Sequence, residues 1–190
     1  MAKLELWYPT KPYIKTQAWG VHRPDVYSQF GFTDHNGEDF ALGSPPELRS
    51  PFDCEVVRIG NQPKGGGIFV GIISQQEYDF DDGIKCRVLI DFLHCKEIKV
   101  NVGDKLKVGD LLAIANNTGF STGPHTHGQY RRVNWDGIKI TTIDTNNANN
   151  SFDPNPYWNG FFAVDSIVVI GIYKRIIELL KVAILFFTKK

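Results

Sequence analysis

Residues 54–95 read CEVVRIGNQPKGGGIFVGIISQQEYDFDDGIKCRVLIDFLHC, and the fold turns on this stretch. Three runs rich in β-branched and aromatic residues, CEVVRIG, GIFVGIIS and KCRVLIDFLHC, are separated by QPKGGG and FDDG. The separators hold Gly, Pro and Asp, which favour turns, while the runs are of strand composition and strand length. DLLAIA (110–115) and HGQYRRVNW (127–135) continue the pattern. Strands at this spacing predict an all-β domain, a compact antiparallel sandwich or barrel.

On either side the texture changes. Residues 1 to about 50 are rich in Pro, Gly and aromatics with little helical period, which predicts loops and short strands. Val102-Gly103-Asp104 recurs six residues later as Val108-Gly109-Asp110, a spacing explained by two successive tight turns. The Asn-rich TNNANNSFDPNPYWNG (145–160) reads as a loop closing the domain. Beyond it, SIVVIGIYKRIIELLKVAILFF (166–187) has four charged residues, of which Lys174, Glu178 and Lys181 make one narrow polar stripe at helical spacing. The expectation is a domain over 1–160 and an apolar C-terminal α-helix over 161–190. That helix would self-associate, dock or lie on a membrane surface; spanning is disfavoured because its charges fall near the middle.

The 190 residues carry 21 basic and 21 acidic side chains. This balance gives no electrostatic case for nucleic acid. Cys54, Cys86 and Cys95 form no CxxC pair and are odd in number, which argues against a disulfide framework or a Cys-rich metal site and for buried free thiols. The N-terminal MAKLELWYPTKPYIKTQAWG has no apolar core, so no Sec signal peptide is expected. Action outside the cell would then need lysis, a virion or another export route.

The chemistry lies in the histidines. His35 stands in HNGEDF with Asp39 four residues on; His94 follows an apolar run; His125 and His127 flank Thr126 in TGPHTHGQY. Two His and one carboxylate form the ligand composition of a catalytic zinc site, which leaves a coordination position open. Gly37 places the first group on a turn leading into a strand. On a strand His125 and His127 share a face and Thr126 points away. His22 fits no pattern and reads as a surface residue. Tyr27 is a minor candidate for an oxyanion donor, its plainer reading being a loop aromatic.

The set as a whole resembles peptidase family M23, the LytM and lysostaphin type of zinc metallopeptidase that cuts peptidoglycan cross-links. The matching elements span about residues 16–157: TQAWGVHRPDVYSQFGFTDHNGEDFAL with its H-x-G-x-D, PFDCEVVRIG, LIDFLHC, VNVGDKLKVGDLLAIANNTGFSTGPHTHGQY and FDPNPYW. The resemblance implies a zinc-dependent endopeptidase with one Zn2+ in a groove. It implies His35, Asp39 and His127 as metal ligands and His94 and His125 as the catalytic histidines, one accepting a proton from water and one stabilising the oxyanion, with their order left open. It departs from the family's usual pattern after the paired histidines, where Gly128-Gln129 replaces Phe-Glu, and at Cys95, where Leu is more usual. A catalytically inactive wall-binding module is the alternative, disfavoured because every motif histidine and Asp39 is present. A lipoyl-type carrier would leave four histidines unexplained. The substrate implied is the peptide part of bacterial cell wall; which cross-bridge is cut stays open.

Overall fold

A computed structural model of the chain describes residues 2–143 and 150–160. The C-terminal helix expected over 161–190 lies outside the described residues. Thirteen strands are present among them: β1 (Leu6–Trp7), β2 (Lys15–Gln17), β3 (Glu38–Phe40), β4 (Glu47–Arg49), β5 (Cys54–Gln62), β6 (Gly67–Ser74), β7 (Tyr78–Asp79), β8 (Lys85–Ile98), β9 (Lys105–Leu106), β10 (Leu111–Ala115), β11 (Thr126–Trp135), β12 (Ile140–Thr142) and β13 (Trp158–Gly160). One short helix, α1 (Pro24–Tyr27), begins at a proline, whose fixed φ suits the first helical turn.

Eleven strands form one large antiparallel sheet whose main path is β2-β3-β11-β8-β6-β5-β9, with β10 joined to β4 and β8. The all-β antiparallel expectation therefore holds for the main sheet, while β1 and β13 stand apart from it as a two-stranded parallel pair, and all eleven strands of the main sheet are joined by continuous hydrogen bonding. The reason is β8. At 14 residues it is long enough to change partners: Arg87–Leu93 pair with β11, and Cys95–Ile98 pair with β10. A strand shared in this way carries the hydrogen bonding from one layer into the next.

The run VLIDFL was legible as a strand but not as two faces. Val88, Ile90 and Phe92 enter the main core, beside Val56, Val70, Ile72 and Tyr130. Leu89 joins a smaller apolar cluster with Ile73 and Val133. Asp91 and Leu93, two and four residues on, share the face of Leu89 by strand alternation. One face of β8 thus seals the core and the other floors a groove. The paired Val-Gly-Asp segments make matching turns: Asn101 N donates to Asp104 Oδ2 at 2.7 Å, and Lys107 N to Asp110 Oδ2 at 2.8 Å. All three cysteines are buried and free, as their spacing predicted. Burial raises the Cys54 thiol to about 11 and the Cys95 thiol to about 12, so neither is a reactive thiolate.

Candidate metal centre and its groove

Asp39 on β3 pairs with His127 on β11, and His127 pairs in turn with Leu93 on β8. The register therefore sets two of the polar groups side by side. His35 comes from the turn before β3. Its Nδ1 lies 2.8 Å from the Ala18 carbonyl oxygen. A carbonyl only accepts, so Nδ1 holds the proton and Nε2 offers its lone pair. Nε2 of His35, Oδ1 of Asp39 and Nδ1 of His127 converge: 3.0 Å between the two nitrogens, 3.2 Å from His35 to Asp39 and 2.9 Å from His127 to Asp39.

This donor set fits a zinc ion. Ligand atoms ~2.05 Å from a tetrahedral centre stand ~3.3 Å apart, close to the three edges observed. Gly37 is part of the arrangement. A Cβ there would lie 2.2 Å from the Gly128 carbonyl oxygen and 2.6 Å from His127 Nε2, so the middle residue of H-x-G-x-D has to be glycine for His127 to sit where it does. Burial works against the charge on Asp39, but the bonds from His127 and His35 overcome it and hold the carboxyl well below its usual range. Burial likewise lowers His127 and favours the neutral ring that a metal requires.

His94 and His125 approach the same point from irregular backbone. Their rings lie 4.7 Å apart between centroids. His94 Nδ1 is 2.8 Å from the Thr118 carbonyl oxygen, and His125 Nδ1 is 2.8 Å from that of Gly123. Each ring is thus fixed as the Nδ1–H tautomer, with the lone pair on Nε2. His125 Nε2 comes within 3.6 Å of Asp39 Oδ1. Burial lowers the pKa of His94 to about 4. The apolar run before His94 does not end the strand: His94 sits at a bulge within β8, with φ of 63°.

The groove has a volume of about 540 Å³; Tyr27, Phe30, His94, Phe120, His127 and Arg131 are among its walls. Tyr27 stacks on His35 at 5.6 Å and accepts a hydrogen bond from Gln17 Nε2 at 2.6 Å through its hydroxyl. It therefore packs against one of the three converging groups, His35. His22 is exposed and bonded to Asp34 at 2.5 Å, away from the other four histidines' cluster. Thr126 is fully buried on the opposite face. Sequence reasoning missed the carbonyls of Ala18, Thr118 and Gly123, which orient three of the rings. No side chain marks them, so only the folded backbone reveals them.

Fold and site together define a β-sheet metallopeptidase architecture with a His-Asp-His centre. The profile of peptidase family M23 matches residues 33–141, more than half the chain, and the protein belongs to that family. It is 28% identical over 124 residues to the glycyl-glycine endopeptidase ALE-1 of Staphylococcus capitis, covering 65% of this chain and 29% of that protein. To the peptidoglycan DD-endopeptidase ShyA of Vibrio cholerae it is 32% identical over 93 residues, covering 49% of this chain and 19% of the relative. The chain thus spans less than a third of the length of either. Its fold is similar to the crystallised catalytic domain of lysostaphin from Staphylococcus simulans, with a TM-score of 0.55 at 23% identity over 76% of this chain and 90% of that one.

Proposed function

We propose that the protein is a zinc endopeptidase that hydrolyses peptide cross-links of bacterial peptidoglycan. The observation that carries this reading is the convergence of His35 Nε2, Asp39 Oδ1 and His127 Nδ1 within 3.2 Å of one another, beside a groove walled by His94 and His127 and with His125 Nε2 3.6 Å from Asp39 Oδ1. Those three residues would hold the metal. Zinc, when bound, supplies Lewis acidity that activates water and polarises the scissile carbonyl.

The remaining work falls to this chain's own groups. His94 and His125 keep Nε2 for the reaction, each with Nδ1 held by a backbone carbonyl. Either can take a proton from the attacking water, and once protonated donate to the oxyanion or the leaving amine. His125 Nε2 lies 3.6 Å from Asp39 Oδ1, beside the metal ligands, where it can donate to the oxyanion; His94, lowered by burial, suits the acceptor role. We further assign residues 1–160 to the catalytic domain and 161–190 to an apolar amphipathic helix that governs association with itself or a membrane surface. Action at the bacterial wall follows from the substrate.

The test is digestion of purified walls by metal-free and zinc-reconstituted protein, with new amino termini identified by mass spectrometry. Cleavage of cross-links only after zinc is restored is the expected result. Full hydrolysis by metal-free protein would refute the reading.

A further inference from the structure

The strand registers build a second row of side chains beside the metal row. Arg58 on β5 pairs with Gly71 on β6, Gly71 with Asp91 on β8, and Asp91 with Gln129 on β11. Two residues further along β8 and two back along β11 stand Leu93 and His127, also paired. The two rows are therefore one pleat apart, roughly 7 Å along the strand.

Gly71 makes the second row possible. A Cβ at that position would lie 2.5 Å from Arg58 Cγ and 2.7 Å from Asp91 Oδ1. Across the gap Arg58 lays its guanidinium on Asp91, with Nε 2.7 Å from Oδ1 and Nη2 on Oδ2. From the other side Arg131 gives Nη1 to the same Oδ2 and Nη2 to Gln129 Oε1. The Asp91 side chain is 6% exposed, that of Arg131 17% and that of Arg58 40%. Two cations thus share one carboxylate, and the neutral Gln129 adds no anion, leaving one positive charge in excess. A pocket of about 250 Å³ opens on Arg58, Asp91, Gln129 and Arg131. Leu93, Gln129 and Arg131 also line the catalytic groove, so the pocket is continuous with it.

A clamp that only held the sheet together would need one arginine for its carboxylate. The second leaves N–H donors and positive charge facing a half-enclosed pocket, where a charged hydrogen bond is worth more than in open water. We propose that Arg58, Arg131 and Gln129 form an anion subsite that takes a free carboxylate of the substrate about two residues from the scissile bond, two residues of extended peptide spanning the ~7 Å between the rows. This rests on the endopeptidase reading and sharpens it. Cross-links between stem peptides carry free carboxylates on diamino acids and terminal D-amino acids, whereas the interior of a glycine bridge carries none. The subsite therefore selects carboxylate-bearing stem cross-links.

The experiment uses the full chain loaded with zinc and matched cross-linked peptide dimers, one with the diamino-acid carboxylate free and one with it amidated. The free form is expected to have a kcat/KM about 10-fold higher or more, mainly through KM, the scale of a charge-assisted hydrogen bond. Arg58→Met, and separately Gln129→Glu, which supplies the missing anion, are each expected to bring the ratio of the two substrates to within about 2-fold; Arg58→Lys, keeping the charge, retains most of it. Because the ratio is taken within one variant, a change in the amount of folded protein does not move it. Equal kcat/KM for the two dimers in the unmodified chain, or a ratio that survives both Arg58→Met and Gln129→Glu, would overturn the subsite. If neither dimer is cut, the endopeptidase reading fails, and isothermal titration with the same two peptides judges the subsite: about 10-fold tighter binding of the free form supports it, and equal binding overturns it.

Discussion

The four clustered histidines divide into two pairs that the backbone treats differently. His35 and His127 belong to the region around β3 and β11, where Asp39, His127 and Leu93 lie in unbroken register. Their nitrogens face each other at 3.0 Å. His94 and His125 belong to a bulge in β8 and to the loop before β11, joined by Asn116, whose N–H donates to the His94 carbonyl and whose own carbonyl accepts from His125 N–H. A metal needs fixed ligand separations, which the β3–β11 ladder provides for Asp39 and His127, with His35 set by the turn before β3 and tied through Nδ1 to the Ala18 carbonyl. A group that passes a proton needs one ring nitrogen tied and the other aimed, which a bulge and a loop provide by bringing backbone carbonyls to Nδ1.

The division is broken most severely at the ladder. His127→Ala is expected to lose both zinc and activity, turnover falling by about 10³-fold or more, the scale of a lost Lewis acid. Metal content and turnover of the purified variant measure this; a zinc-replete, active His127→Ala protein would dissolve the distinction. Next in size is His125→Ala, with zinc retained near one per chain and turnover down roughly 10²-fold or more, as for a lost acid–base group or oxyanion donor. Loss of metal from that variant would move His125 into the ligand pair. Gly37→Ala should act on the ladder without replacing a ligand: its Cβ falls on the Gly128 carbonyl and His127 Nε2 and displaces that ring. Zinc affinity is expected to drop about 10- to 100-fold, as when a ligand's orientation is disturbed, read by competition with a chromophoric chelator.

The two regions also differ in how far the sequence discloses them. HNGEDF announces a turn, a glycine and a strand within six residues, and the structure places Asp39 on β3 as that reading requires. HTH announces two groups on one face because strand period is local. His94 announces nothing of its bulge, since Leu-His-Cys carries no glycine to signal positive φ. The row of Arg58, Gly71, Asp91 and Gln129 is equally silent. Its members come from four strands, and their meeting depends on long-range register that no local pattern encodes. The continuity of the eleven-stranded sheet has the same origin: β8 is legible as a strand, but its change of partner at residues 93–95 is a tertiary fact.

The smallest expected effect tests the bulge itself. His94 has φ of 63°, a region that costs a residue with Cβ about 1–2 kcal/mol and glycine almost nothing. The conformation is imposed from three sides: His94 N–H donates to the Gly66 carbonyl at 2.8 Å, its carbonyl accepts from Asn116 N–H at 3.0 Å, and its ring is bound to the Thr118 carbonyl. Both His94→Ala and His94→Gly remove the ring and should reduce turnover alike while keeping zinc. They should differ in stability. Alanine keeps the unfavourable φ, whereas glycine relieves it and loses part of the gain to a more flexible unfolded chain. His94→Gly is therefore expected to be more stable than His94→Ala by about 1 kcal/mol, a Tm difference of roughly 2–4 °C at this chain length. Thermal unfolding of the two variants at one zinc concentration decides it. Should the alanine variant prove as stable as the glycine one, the backbone at residue 94 relaxes once the ring is gone, and it is the ring's bond to Thr118, not the surrounding ladder, that holds the bulge open.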